Sequence, residues 1–368
     1  MKICYISNSA APSSNASSLQ TAKLCEGLSK LGHEVKLILP DTGYKNDYFK
    51  FYNIKKKFSL EKIKFFKSFP KGIFYYLYTF ISIYKSEIKK NDIYITRNFF
   101  TSLILSIFKK NHILEIHDDI VVEGRIIKFL IRNLNILNLR PLRKIITTTF
   151  SLKKKYTNDY NVIAQKIQVL HNASSLGPNF KKFKKKKKCL NIGYFGSLFE
   201  SRGIKLIIDL SISDKENQYY IYGGSKADID SLKKKYKNRN LHLSPYLPYS
   251  KVEKKIRGID VCLLPYKSKI TVSGNIGDIS KYTSPLKIFD YMILGKLIVC
   301  TNLPVLKEIL KDKQNSLLIQ KNSGLTFWKK KIRMISKNYH KYENIRYNAY
   351  KYAKEHNIDW RSKKLLLF

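Results

Sequence analysis

Short apolar runs alternate with amphipathic stretches along this chain, and that alternation predicts an α/β protein. Residues 2–7, KICYIS, read as a buried strand and are followed by the polar loop NSAAPSSNAS. From Ser18 the pattern turns helical: Leu19, Ala22, Cys25, Leu28 and Leu31 recur at helical spacing, and Gly32 stops it. EVKLILP, 34–40, is the next strand, which completes a βαβ unit with a parallel sheet. Residues 45–67 are basic and poorly periodic. Residues 72–90 predict a helix with an aromatic face, and strands follow at 92–97, 112–118, 144–151 and 166–172.

The stretch 174–188, SSLGPNFKKFKKKKK, breaks the pattern. It is polar, carries Gly-Pro and has no apolar face, so it reads as a linker. The α/β pattern then restarts, with strands at 189–197, 218–224, 240–247, 260–266, 297–301 and 316–320, and helices at 203–213 and 284–296. The expected organisation is a first Rossmann-like domain over 1–173, a basic linker over 174–188 and a second such domain over 189–341. A tail over 342–368 reads as two helices hinged near Asn357-Ile358-Asp359. Two parallel sheets of this kind, facing a central cleft, would bind ligands at their carboxyl strand ends.

Composition narrows the picture. The 368 residues suit two domains, and a hydrophobic fraction of 44% excludes a wholly disordered chain. Lys and Arg total 70 against 27 Asp and Glu, a formal charge of +43, which predicts affinity for anionic partners without naming one. The five cysteines have no CxxC spacing, so reduced thiols are expected rather than zinc ligands or disulfides. The longest apolar-aromatic run, 72–84, has 13 residues, short of the roughly 20 a membrane span needs. The opening residues lack the pattern of a signal peptide. A cytoplasmic protein is expected, peripheral on the inner face of the cytoplasmic membrane. The Phe/Tyr/Lys-rich tract 44–90 and the run KKFKKKKK, 181–188, would rest on anionic lipid there, although Lys is abundant throughout the chain.

Two constellations suggest phosphate chemistry. In 193–203, GYFGSLFESRG, Gly196 permits a tight turn after a strand. The helix starting near Gly203 offers free N–H groups, and Arg202 at its mouth adds a bidentate grip on phosphate. Taken alone, this spacing also fits an ordinary strand–turn–helix junction. In SPLKIFDY, 284–291, Ser284 is expected to cap a helix with Pro285 at its first position. Lys287 and Asp290, three apart, share a face: the lysine would neutralise a diphosphate and the carboxylate would accept from a ribose diol. An ordinary surface ion pair is the competing explanation. The Pro-bearing loops Ser244–Pro248 and Leu264–Tyr266 follow strands and would line the same cleft.

With these pieces in view, the second half resembles the nucleotide-sugar-binding half of the retaining glycosyl transferases group 1 (family 4), which have the GT-B fold. The resemblance rests on YFGSLFESRGI (194–204), YIYGG (220–224), HLSPYLP (242–248), GIDVCLLPY (258–266) and SPLKIFDYMILGKLIVCTNLPVLKEIL (284–310). LGHEVKLI (31–38), YITR (94–97), LEIHD (114–118) and VLHNAS (169–174) extend it more loosely over the first half. It implies a transferase that moves a sugar from a UDP- or GDP-sugar to a lipid-linked or polysaccharide acceptor, with retention, in bacterial cell-surface glycan synthesis such as that of lipopolysaccharide.

Residue by residue, the resemblance implies that Arg202 and Lys287 hold the donor diphosphate, beside Gly196 and Ser197. Asp290 would bind the ribose, and Tyr246 and Leu247 would lie beside the base. His117 would sit near the transferred sugar and acceptor, and Asn15, Ala16 and Ser17, in a loop where the family usually has glycines, would lie on the acceptor side. The acid usually found eight residues before Asp290 is Tyr282 here, which leaves Lys287 and the backbone after 271 to contact the donor sugar. The tail would cross back to the first domain, with Trp360 as an anchor. The leaving diphosphate would be stabilised by cations, so neither a metal nor a cofactor is expected beyond the nucleotide sugar as substrate, although Asp118 and Asp119 are adjacent after a strand. A non-catalytic relative and a basic nucleic-acid binder stay open as alternatives; the second is disfavoured because no recognised module appears and the charge is spread, so no nucleic-acid partner is expected.

Overall fold

The computed structural model describes every residue except 10, 42–46, 65–72, 88–90, 120–128, 130, 132, 134, 183–188, 272–277 and 368. The chain forms two compact units. One comprises Met1–Asn172 with Ile358–Phe368, the other Ala173–Asn357.

The first unit holds seven parallel strands: β1 Lys2–Ile6, β2 Glu34–Pro40, β3 Ser59–Ile63, β4 Ile93–Thr96, β5 His112–Ile116, β6 Leu142–Thr147 and β7 Ile167–Val169. Their order is β3-β2-β1-β4-β5-β6-β7. Both faces of the central strands are buried, which is why these strands read as nearly continuous apolar runs. Ile3 and Tyr5 pack on one side with Leu37, Leu39 and Ile95, while Cys4 and Ile6 pack on the other with Ile38, Tyr94 and Leu105. The edge strand β3 falls in a stretch expected to be irregular. Of its five residues, SLEKI, only Ile63 is buried, so it carries almost no apolar signal.

The second unit repeats the architecture in six parallel strands: β8 Asn191–Phe195, β9 Gln218–Tyr222, β10 Leu241–Ser244, β11 Val261–Leu264, β12 Leu297–Thr301 and β13 Leu317–Ile319. The order is β10-β9-β8-β11-β12-β13, the doubly wound arrangement with its reversal between β8 and β11. Alternate residues again serve two cores. Ile192, Tyr194, Val261 and Leu263 face one, and Phe195, Cys262 and Leu264 face the other. The α/β, two-Rossmann reading of the sequence therefore holds for each unit.

The stretch 174–182, read as linker, belongs to the second unit. Asn179 N–H donates to the Ile293 carbonyl at 3.0 Å, and the Arg346 guanidinium lies 5.2 Å from the Phe180 ring centroid. The rest of the lysine run, 183–188, lies outside the described residues. The tail was drawn from 342, but the helix Glu343–Glu355 is part of the second unit, where Arg346 donates to the Gly295 carbonyl at 2.8 Å. Only the final helix, Ile358–Leu365, rejoins the first unit, and Trp360 packs there against the core that contains Ile3 and Tyr5. The five cysteines are free thiols, four of them buried.

Candidate functional site

The second unit's site is built at the reversal of its strand order, where open α/β sheets bind ligands. β8 runs into Gly196, whose φ of +141° is one that residues with a side chain rarely adopt. A Cβ there would lie 2.2 Å from Lys287 Nζ, so the missing side chain makes room for the ammonium. The chain then forms a single 3-10 turn, Glu200–Arg202, and enters the helix Ile204–Ser213 through Gly203. At Gly203 φ is +73°, and a Cβ would strike the Pro265 carbonyl oxygen at 1.9 Å. Glycine at this point lets the turn carrying Arg202 lie against the loop that follows β11.

Lys287 comes from the helix Leu286–Ile293, whose N-cap is Pro285. This corrects the expected cap by one residue: Ser284 stands outside the helix, and the N-cap Pro285 makes no side-chain cap bond. Neither this helix nor Ile204–Ser213 has an acid in its first turn, and neither N-cap residue, Pro285 or Gly203, makes a side-chain cap bond. Both N-termini therefore keep their positive ends available to an anion.

Arg202 and Lys287 share an aromatic enclosure. Lys287 Nζ lies 4.2 Å from the Tyr194 ring centroid and 6.0 Å from that of Tyr266, and the Arg202 guanidinium lies 5.2 Å from the Tyr266 centroid. Arg202 Nη2 donates to the Thr271 carbonyl at 3.2 Å. Among the described residues neither cation has a carboxylate partner. Burial, and then the Arg202 charge, pull the Lys287 pKa well below its ordinary value. Burial also raises the Tyr266 hydroxyl to about 12, against the lowering effect of Arg202. Two basic side chains in a partly dry place, with no acid paired to either among the described residues, could accept an anion.

Asp290 does not pair with Lys287. It is buried, and its Oδ1 accepts from Ser174 at 2.5 Å and from Tyr249 at 3.4 Å. Ser197 follows Gly196 and its carbonyl accepts from Tyr194 at 2.8 Å. Tyr246 is exposed and its N–H donates to the Gly224 carbonyl at 3.0 Å; Leu247 is half-buried beside it. The backbone just after 271 lies outside the described residues.

The remaining candidates lie in the first unit. Asn15 is the N-cap of the helix Ala16–Lys30, and Ala16 and Ser17 form its first turn, two residues before the expected start at Ser18. His117 follows β5. Its Nε2 is 4.0 Å from Glu115 Oε1 and has no hydrogen-bond partner among the described residues. Burial, with the Arg97 and Arg361 charges, holds the imidazole well below its usual pKa, so it is neutral at neutral pH. Glu115 is spent elsewhere: it accepts from Arg361 at 2.8 Å and from Tyr5 at 3.1 Å. Asp119 pairs with Lys155 at 3.3 Å and accepts from Tyr160 at 3.3 Å. Among the described residues no three His, Cys, Asp or Glu side chains gather as metal ligands would. Sequence reasoning named the loop that carries Tyr266 but missed Tyr194, Arg97 and the Glu115–Arg361 pair. YITR, 94–97, carried the one usable signal, a cation directly after a strand.

The profile of the family described as "Glycosyl transferases group 1" matches residues 178–352, and the chain is related to that family over this segment. No curated protein matches the chain. Among solved structures, HepE of Anabaena in complex with UDP and glucose superposes with a TM-score of 0.71 at 13% identity, covering 99% of this chain and 98% of that one. A glycosyltransferase from Rickettsia africae gives 0.70 at 14% identity, covering 99% and 96%. Sucrose-phosphate synthase from Thermosynechococcus elongatus gives 0.69 at 13%, covering 99% and 97%. The shared fold is GT-B.

Proposed function

We propose that this protein transfers a sugar from a UDP- or GDP-sugar to a lipid-linked or polysaccharide acceptor, with retention of anomeric configuration, in cell-surface glycan assembly. The observation that carries the proposal is the Arg202–Lys287 couple beside Tyr194 and Tyr266, which has no carboxylate partner among the described residues. As the sugar C1–O bond breaks, its electron pair goes to the β-phosphate oxygen, and these cations with the two helix N-termini stabilise the growing charge. The acceptor hydroxyl attacks C1 on the face the leaving group vacates, and its proton passes to the departing phosphate. Gly196 and Ser197 admit the diphosphate close to the backbone. Asp290 takes the ribose diol, and Tyr246 and Leu247 flank the base. On the acceptor side stand Asn15, Ala16 and Ser17, and neutral His117 orients the sugar or the acceptor by hydrogen bonding. HepE, whose solved complexes hold UDP and UDP-glucose, supports UDP as the first nucleotide to try.

The test is equilibrium binding of UDP and GDP, followed by turnover of their sugars. Arg202→Ala is expected to lose most of the nucleotide affinity; unchanged affinity would overturn the site assignment. Absence of any nucleotide binding in the unaltered protein would favour the non-catalytic alternative.

The helix Ile73–Glu87 supports a peripheral membrane location at the cytoplasmic face. It buries Tyr78, Thr79, Ser82 and Ile83 while exposing Phe74, Tyr76, Leu77, Phe80 and Tyr84. No helix among the described residues is long and apolar enough to cross a membrane. An apolar face of this kind on a strongly basic chain suits insertion at an anionic lipid surface. Co-sedimentation with phosphatidylglycerol vesicles is expected to fall in Leu77→Asp/Phe80→Asp. Equal sedimentation would remove this helix from the reading.

A further inference from the structure

We propose that Arg97 is an anion-recognising residue on the acceptor side, so that the acceptor carries a carboxylate or phosphate group. The inference rests on the transferase reading for the word acceptor and on the first unit's own geometry for the site. Arg97 directly follows β4, which lies beside β1 where the strand order of the first sheet reverses. That is the ligand-binding position of an open parallel sheet.

The guanidinium is held along one edge only. Nη1 donates to the Ser17 carbonyl at 3.4 Å and to Gln20 Oε1 at 3.3 Å, two long bonds to neutral oxygens. Gln20 in turn donates to Asn172 Oδ1. This network joins the end of β4, the first turn of the helix Ala16–Lys30 and the segment after β7, and it fixes the orientation of the fork. Nε and Nη2 make no hydrogen bond among the described residues. No described carboxylate forms an ion pair with this side chain. Glu115 is taken by Arg361 and Tyr5, and Asp118, whose carboxyl feels the Arg97 charge, stays outside pairing distance. A half-buried, pre-oriented guanidinium with one edge unused matches a group that offers two oxygens in a plane, and it leaves that edge poorly compensated when the ligand is neutral. The helix turn beside it contributes no acid and no capping side chain, so it adds no negative charge.

The experiment is calorimetric titration of the full chain with glucuronate, glucose 6-phosphate and glucose at fixed ionic strength near 0.15 M, with and without saturating UDP. An acidic sugar is expected to bind about tenfold or more tightly than glucose, as a charge-assisted bidentate contact warrants. The comparison of the two acidic sugars distinguishes carboxylate from phosphate. Arg97→Gln is expected to abolish the preference for acid while leaving UDP affinity in place. Arg97→Lys, which keeps the charge and loses the fork, is expected to weaken acid binding several-fold, and it serves as the second variant should the glutamine form fold poorly. Equal affinity for glucuronate, glucose 6-phosphate and glucose would overturn the proposal, as would an acid preference that survives both substitutions. A chain that does not bind UDP yet keeps an Arg97-dependent acid preference would sink the transferase reading and spare this site.

Discussion

Replacement of Lys287 by Met separates a binding site from a structural cation, because the two roles predict opposite signs. In the free protein the ammonium faces Arg202 without a carboxylate partner, and its surroundings already press it toward the neutral form. An isosteric apolar side chain removes that repulsion and the desolvation cost, and forfeits a 4.2 Å contact with the Tyr194 ring. The free fold is therefore expected to gain about 1 kcal/mol, read as a higher urea midpoint with an unchanged slope. Nucleotide binding should move the other way. Losing one of two partly buried cations from a diphosphate costs about 2–5 kcal/mol, a Kd higher by about 30-fold or more. The sign with pH follows from the lowered pKa. A bound diphosphate favours the charged form and raises this pKa again, so at a pH between the free and bound values the unaltered protein takes up a proton on binding UDP. Its affinity is highest below the free lysine's pKa and declines as pH rises toward the pKa of the complex. Calorimetry in two buffers of different ionisation enthalpy reads that proton directly. The reasoning fails if Lys287→Met binds UDP as tightly as before, or if it binds with the same proton uptake.

The parts that sequence made legible are those whose signal is local. β1 and β8 could be read because strands buried on both faces must be apolar at nearly every position. β3 could not, since an edge strand with Ile63 as its one buried residue resembles a polar loop. The helix Tyr249–Arg257 buries Ile256 alone and was equally faint. Gly196, Arg202 and Lys287 stood out because a turn, a helix mouth and a charge coincide within a few residues. Their enclosure by Tyr194 and Tyr266 is a tertiary fact, with no trace in the spacing of either tyrosine. The same holds for Asp290, whose hydrogen-bond partner Ser174 is 116 residues away, and for Glu115, whose partner is 246 residues away. The linker reading failed in part because Lys and Phe look solvent-bound in sequence, whereas Phe180 finds a seat beside Gly295 and Arg346.

Three further outcomes test the geometry. Gly196→Ala should force a Cβ to within 2.2 Å of Lys287 Nζ at an unfavourable φ; it is expected to cost about 1–2 kcal/mol of stability and to weaken UDP binding about tenfold, both readable by chemical denaturation and calorimetry. His112, buried between Ser102 and the Lys110 carbonyl, has its pKa lowered to about 4 from 6.5, chiefly by burial, so the unfolded chain takes up the proton first as pH falls. Its contribution is fully present above about pH 6.5, and about 3 kcal/mol is lost on the way down to pH 4; urea melts across that window should show the slope, and His112→Asn should flatten it. Arg361→Ala strips the partner from Glu115 in a pair whose side chains are both 3% exposed, and it also frees the His171 carbonyl. Breaking such a pair costs about 3–5 kcal/mol because a carboxylate is left buried, whereas Arg361→Met with Glu115→Gln removes both charges and should recover most of that loss. Recovery would show that the pair secures the last helix on the first unit by mutual compensation, whereas equal destabilisation in the single and double variants would mean that Arg361 acts through packing alone.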